Sequence, residues 1–247
     1  MEENALKFPT ETIELPSKGL IYPEDNPLSS GKIEMKYMTA KEEDILTNQN
    51  YIKQGVVLDK LLKSLIVSPI DYDDLILGDK NAVLVSARIL GYGKDYSFKY
   101  KGEKVTVDLT TCPLRYLDES QVTLGVNEFS YTLPASNAQI TYKILNNKDE
   151  KEIQAELEGY KKIDKDFTPE LSTRLKHVIQ SVNGNTDKKA VREFVDNYML
   201  ARDSKAFRDH LVATQPDVIM ESTITLSDGT EEGVNIPVTI NFFWPDA

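Results

Sequence analysis

Histidine and cysteine are almost missing from this chain, with two His and one Cys in 247 residues. A single cysteine, Cys112, excludes an intrachain disulfide and fits folding in a reducing cytoplasm. With so few partners nearby, the thiol reads as a buried, inert side chain rather than a nucleophile. His177 and His210 stand alone, without a second His or Cys at metal-ligand spacing. Each falls on a helix predicted from pattern and reads as a helix-face residue. Positive charge is short as well: 29 Lys and Arg against 40 Asp and Glu give a net charge of −11. Such a balance repels nucleic acid and anionic membranes, and only short basic pairs interrupt it, at Lys161-Lys162 and Lys188-Lys189. Long apolar runs are absent too. Nothing approaches the roughly 20 residues that span a bilayer, and "MEENALKFPT" has neither the basic nor the apolar region of a signal peptide. A soluble protein with no nucleic-acid and no membrane partner is expected.

Motifs for chemistry are equally scarce. "GYGKD" at 91–95 reads as a helix end, and "GNTDKK" at 184–189 as a turn and cap, because neither has the glycine spacing of a phosphate loop. Asp71, Asp73 and Asp74 could gather a hard cation, but the residues that follow do not continue a calcium loop, and acids at a helix start are the simpler reading. No strand–turn–helix nucleophile elbow is present. Forty acids leave a glycosidase-type carboxylate pair open without supporting one. No catalytic residue, metal site or cofactor is assigned.

What is present is an α+β pattern. Residues 1–38 carry Pro16, Pro23 and Pro27 with turn glycines, yet also many large apolar side chains. This composition predicts an extended arm lying on a surface and ending in a short strand over 32–38. A first helical block covers 39–91. Thr39 and Glu42 form a capping-box pattern, Val57, Leu58, Leu61, Leu62, Leu65 and Ile66 share one face, and a further helix starts at Asn81 and stops at Gly91. Over 92–145 the period changes to that of hairpins. One turns at Lys101-Gly102-Glu103 and another lies between Phe129 and Leu145, and together they predict one small antiparallel sheet. A second helical block covers 146–216, with Asn147, Thr168, Thr186 or Asp187, and Asp203 as candidate caps and a helix "ELSTRLKHVIQ" after Pro169. Residues 217–247 form a last hairpin turning at Ser227-Asp228-Gly229. Its distal strand, 234–243, runs into Phe242, Phe243 and Trp244 and packs on the 92–145 region.

Large side chains gather where a monomer gains least, in the arm and at the aromatic end. The expected partner contacts are Leu15, Pro16, Leu20, Tyr22, Leu28, Phe243 and Trp244. Alternation sends Phe242 and Trp244 toward the sheet they close and Phe243 and Pro245 toward a neighbour, so Trp244 is assigned both roles.

Four stretches carry a resemblance. The block from "ELPSKGLIYPEDNPLSSG" through "MTAKEEDIL" to "KLLKSLI", the run "TRLKHVIQSVNGNTDKKAVREFVDNYMLARDSKAFRDHL", the short "QPDV" and the final "INFFWPD" resemble baseplate hub proteins of T-even-type contractile-tailed bacteriophages. The similarity extends from about Leu15 to Asp246. It implies a non-enzymatic structural or assembly role in the hub, with other hub or tape-measure proteins as partners, in the host cytoplasm during assembly or in the finished tail baseplate. A transient chaperone for a tape-measure or hub protein is one alternative, and a hub-associated hydrolase another. Relatives often carry paired CxxC knuckles at two hairpin tips. The matching tips here read "KYKGEKV" and "TLSDGTEEG", which implies a degenerate, metal-free zinc-ribbon-like pair held by turns and packing alone. On that basis the 96–109 and 222–243 hairpins should lie side by side in one sheet. Deleting residues 1–31 should leave a folded protein without partners.

Overall fold

A computed structural model describes residues 9–238, 242 and 243. The chain is α+β, as its pattern predicts. It begins with the hairpin β1 (Thr10–Glu14) and β2 (Lys32–Lys36), followed by helices α1 (Ala40–Leu46), α2 (Gln49–Lys53), α3 (Val57–Leu65) and α4 (Leu77–Tyr92). The hairpin β3 (Asp95–Tyr100) and β4 (Glu103–Asp108) comes next, then β5 (Leu114–Arg115), β6 (Phe129–Thr132) and β7 (Gln139–Tyr142). The second helical region holds α5 (Asn147–Ile163) and α6 (Glu170–Val178), then β8 (Ile179–Val182), α7 (Lys188–Asn197) and α8 (Ala201–Thr214). Strands β9 (Asp217–Val218), β10 (Glu221–Thr225) and β11 (Glu231–Asn235) complete it.

Two cores organise these elements. The first joins Leu15, Leu28, Met35, Leu61, Leu65 and Val83 to Tyr96, Val107, Ile224, Val234, Phe242 and Phe243. The second joins Ile140 and Tyr142 of β7 to Ile153, Leu157, Leu175, Val191 and Phe207 on α5 to α8. Phe129 packs against both.

The arm is a correction. Residues 15–31 are not laid on a surface but close the first core, because Leu15, Ile21, Tyr22 and Leu28 turn inward together. A buried carboxylate holds them. Asp79, in the first turn of α4, accepts the Ser17 amide at 2.9 Å, the Ser17 hydroxyl at 2.6 Å and the Tyr22 hydroxyl at 2.7 Å. The Tyr22 oxygen in turn accepts the Ile76 amide at 3.0 Å. Every polar group of this buried knot is thus paired, as burial requires. Deletion of residues 1–31 therefore removes core, not a tether.

Local signals in the first helical block hold. Glu42 accepts the Thr39 amide and hydroxyl, closing the capping box, and also bonds Lys36 and Ser64. Burial alone would raise its carboxyl, but these four bonds together bring it down to about 2. Helix α4 starts earlier than its apolar pattern predicts, at Leu77, and ends at Tyr92 with Gly93 as its cap. Gly78 hid the start, since glycine weakens a helix. It is needed there because a β-carbon would overlap the Pro216 carbonyl oxygen.

The sheets differ from expectation. Among the described residues β3 and β4 pair only with each other, while β6 and β7 form a three-stranded antiparallel sheet with β8, whose first two residues, Ile179 and Gln180, the sequence pattern places at the end of a helix. The β3–β4 and β10–β11 hairpins are neighbours across more than a hundred residues, yet among the described residues each is its own two-stranded sheet, and the shared-sheet expectation fails there. Side chains join them instead: Tyr100 and Lys101 bond Glu232, Glu103 accepts from Ser227, and Tyr96 donates to the Pro237 carbonyl. Strand β11 ends at Asn235 and does not continue through 236–238; residues 239–241 of the strand predicted over 234–243 lie outside the described residues.

Caps in the second block also shift. Asn146, not Asn147, caps α5 in a box with Asp149. Asn147 is instead buried and donates to the Tyr72 carbonyl at 2.8 Å. Pro169 occupies the position before α6, and Asp187 caps α7. Asp203 caps nothing. It is buried in α8 and accepts the Ala135 and Ser136 amides at 2.7 and 3.1 Å, which pins the β6–β7 turn onto the helix.

Candidate contact surface

The residues expected to reach partners mostly face inward. Leu15, Pro16, Tyr22, Leu28 and Phe243 are buried, and Leu20 is half-buried against the first core. Their cause is the Asp79 knot and the first core, which consume the side chains that the arm reading left free. Phe242 is also buried and meets the Tyr96 ring edge-on at 5.1 Å. Trp244 and Pro245 lie outside the described residues.

Apolar exposure concentrates elsewhere, at one end of the second helical unit. A groove of about 380 Å³ runs between the α5–α6 connection, α6 and the α7–α8 connection. Phe167, Pro169, Leu171, Leu175, Val195 and Met199 line it. Phe167 is 62% exposed and Leu171 46%. Ile163, the last residue of α5 and four residues before Phe167, is 87% exposed, and Tyr198 and Leu200 on either side of Met199 are 63% and 50% exposed. Singly such residues are ordinary, but several around one groove mark a contact surface. Ser204 lies in the wall with its hydroxyl buried and without a hydrogen-bond partner among the described residues. An orphaned buried hydroxyl costs roughly 1–3 kcal/mol unless something satisfies it.

Local chemistry explains the placement. Pro169 ends the connection and starts α6, so Phe167 cannot continue a helical stripe inward. Tyr198 is the C-terminal cap of α7 and Leu200 the N-cap of α8, so the two residues sit on a corner rather than on a packed face. A sequence signal existed: Ile163 and Phe167 stand among Lys161, Lys162, Asp164, Lys165 and Asp166, too polar a neighbourhood for buried residues. Tyr198 and Met199 continue the helical spacing of Val191, Phe194 and Val195, so the sequence pattern alone does not set them apart from a buried stripe.

Charged clusters elsewhere are internally satisfied. A cleft of about 500 Å³ beside β8 contains Lys143, Lys176, His177 and Arg192. Lys143 pairs with Asp149 at 2.6 Å and Lys176 with Asp196 at 2.7 Å. Arg192 and His177 share Glu156 at 2.8 and 3.1 Å. The Arg192 bonds, helped by His177, outweigh partial burial and hold the Glu156 carboxyl at about 2. Asp71 accepts the Asp73 amide, Asp73 bonds Lys63 and Lys151, and Asp74 accepts from Asn26. The expected helix-start role fits these acids, and among the described residues no group of three or more His, Cys, Asp or Glu could hold a metal ion. His210 bonds Tyr142 at 2.8 Å and stacks on Tyr131 at 4.4 Å, while burial lowers its pKa. Cys112 is buried, and burial pushes its thiol up. No described helix is long and apolar enough to cross a membrane. Comparison of the chain with protein-family models, with curated proteins and with solved structures finds no match.

Proposed function

We propose that this chain is a non-enzymatic contact protein of a contractile-tail baseplate hub, acting as a hub subunit or as a factor in hub assembly. Its partners are other hub or tape-measure proteins. The observation that carries this reading is the groove bounded by Phe167 and Leu171, with Ile163, Tyr198 and Leu200 exposed around it. Large apolar and aromatic anchors of this kind dominate protein interfaces. The hub setting comes from the resemblance of the "LPSKG", "MTAKEEDIL" and "INFFWPD" blocks. The partner contacts move accordingly, from the arm to the second helical unit.

The double substitution Phe167→Asp, Leu171→Asp tests it. Phe167 is mostly and Leu171 about half solvent-facing, so the fold should persist, while a partner would have to desolvate two carboxylates. Capture of co-expressed hub and tape-measure proteins by the tagged chain is expected to fall by about a hundredfold, as loss of two interface anchors implies. Undiminished capture by a folded double variant would sink the proposal.

A further inference from the structure

A second, smaller pocket of about 160 Å³ lies where the two cores meet. Leu117 and Ile144 belong to the first core, Tyr142 to the second, and Phe129 packs on both. Tyr116, Phe129 and Tyr142 provide its aromatic surface, and Gln121, Thr214 and Gln215 add polar groups. Asp118 is the one charged residue among those lining it. No cation lines it, so the pocket differs from the cleft beside β8, where acids and bases alternate and cancel.

Size and charge together select an occupant. A volume of this order equals the share of about five liquid waters, enough for one long side chain and too little for a helix. Aromatic surfaces attract cations through their ring quadrupoles, and the exposed carboxylate of Asp118 in the lining adds charge complementarity. Asp118 accepts from Ser120 and Gln121, bonds that hold its carboxyl below the usual range and keep it ionised near neutral pH. The neighbouring surface already shows the same pairing within the chain. Lys18 Nζ sits 4.9 Å from the Tyr116 ring centroid and 2.8 Å from Glu119. An overall charge of −11 further favours a basic partner segment.

We infer that the pocket lined by Tyr116, Asp118, Phe129 and Tyr142 receives a single basic side chain, arginine or lysine, from a partner protein. Because its walls come from both cores, occupation bridges them. The inference concerns a site separate from the Phe167 groove and does not depend on the hub assignment.

Titration of the isotope-labelled full chain with the peptide acetyl-Gly-Arg-Gly-amide, followed by amide chemical shifts, tests it. The citrulline peptide serves as the neutral isostere. Saturable shifts are expected at Tyr116, Ala213 and Gln215, with a dissociation constant on the order of 10 mM for arginine and about fivefold weaker binding of citrulline. Asp118→Asn keeps the turn-capping acceptor and should bring arginine most of the way toward the citrulline level, the rings' attraction for the cation remaining. Equal binding of both peptides, shifts that ignore Asp118→Asn, or no saturable shift at these amides would overturn it. Each of these outcomes is independent of whether the groove variant captures hub proteins.

Discussion

Asp79→Ala is expected to lower the unfolding free energy by about 3–5 kcal/mol, the cost of removing one side of a buried polar network. Alanine leaves the Ser17 amide and two hydroxyls without their acceptor, and each unpaired buried group costs roughly 1–3 kcal/mol. Leu15, Ile21, Tyr22 and Leu28 lose the anchor that turns them into the core. Burial raises the Asp79 carboxyl above its unfolded value, against the pull of the Ser17 and Tyr22 bonds. A raised acid contributes most below its unfolded pKa, about 3.9, and its contribution falls as pH rises through the folded value. The penalty for alanine should therefore be larger at pH 4 than at pH 8. Urea unfolding at the two pH values reads both effects. A loss under 1 kcal/mol, or a penalty that grows toward alkaline pH, would show that this carboxylate does not hold the segment.

Gly78→Ala is the second large effect, and its sign is diagnostic. In an isolated helix the change would stabilise by about 1 kcal/mol. Here the new methyl group meets the Pro216 carbonyl, a backbone atom that cannot rotate away. Accommodation requires the 216–218 segment to retreat, which breaks the 2.9 Å bond from Asn81 to Asp217 and the pairing of β9 with β5. Forced backbone shifts of this kind cost about 1–3 kcal/mol or more. A net loss of about 3 kcal/mol in chemical denaturation is expected, with amide shift changes at Asp217 and Val218. A more stable variant would mean that the two segments do not touch as described.

These two residues also show where sequence reading stops. Thr39 with Glu42, the apolar face of α3 and the tight turn at Lys101-Gly102 were legible because each is decided within a few residues. The Lys101 and Gly102 backbones both adopt positive φ, as a two-residue hairpin turn demands. Nothing in the sequence around Asp79 singles it out, because its partners lie 57 and 62 residues away. Asp203 looked like a cap for the same reason, with partners 67 and 68 residues distant. Ile179–Val182 followed a helical run without a break, and only pairing with β7 makes it a strand. Tertiary contact outweighs propensity at such places. The groove fell between the two cases. Its residues were visible, but apolar side chains in the arm competed with them for the contact role, and those of the arm are buried as deeply as the helix cores.

Chemical cross-linking in cells that express the chain with hub and tape-measure proteins tests the contact role most directly. Lys165 lies two residues before the groove residue Phe167, and Lys205 follows the groove residue Ser204 on α8, so both are within cross-linker reach of the groove. Cross-links from these two lysines to a hub or tape-measure protein are expected, with far fewer from Lys99 and Lys104 on the β3–β4 hairpin. Partner cross-links confined to that hairpin, or none from Lys165 and Lys205 in assembling tails, would contradict binding through the groove.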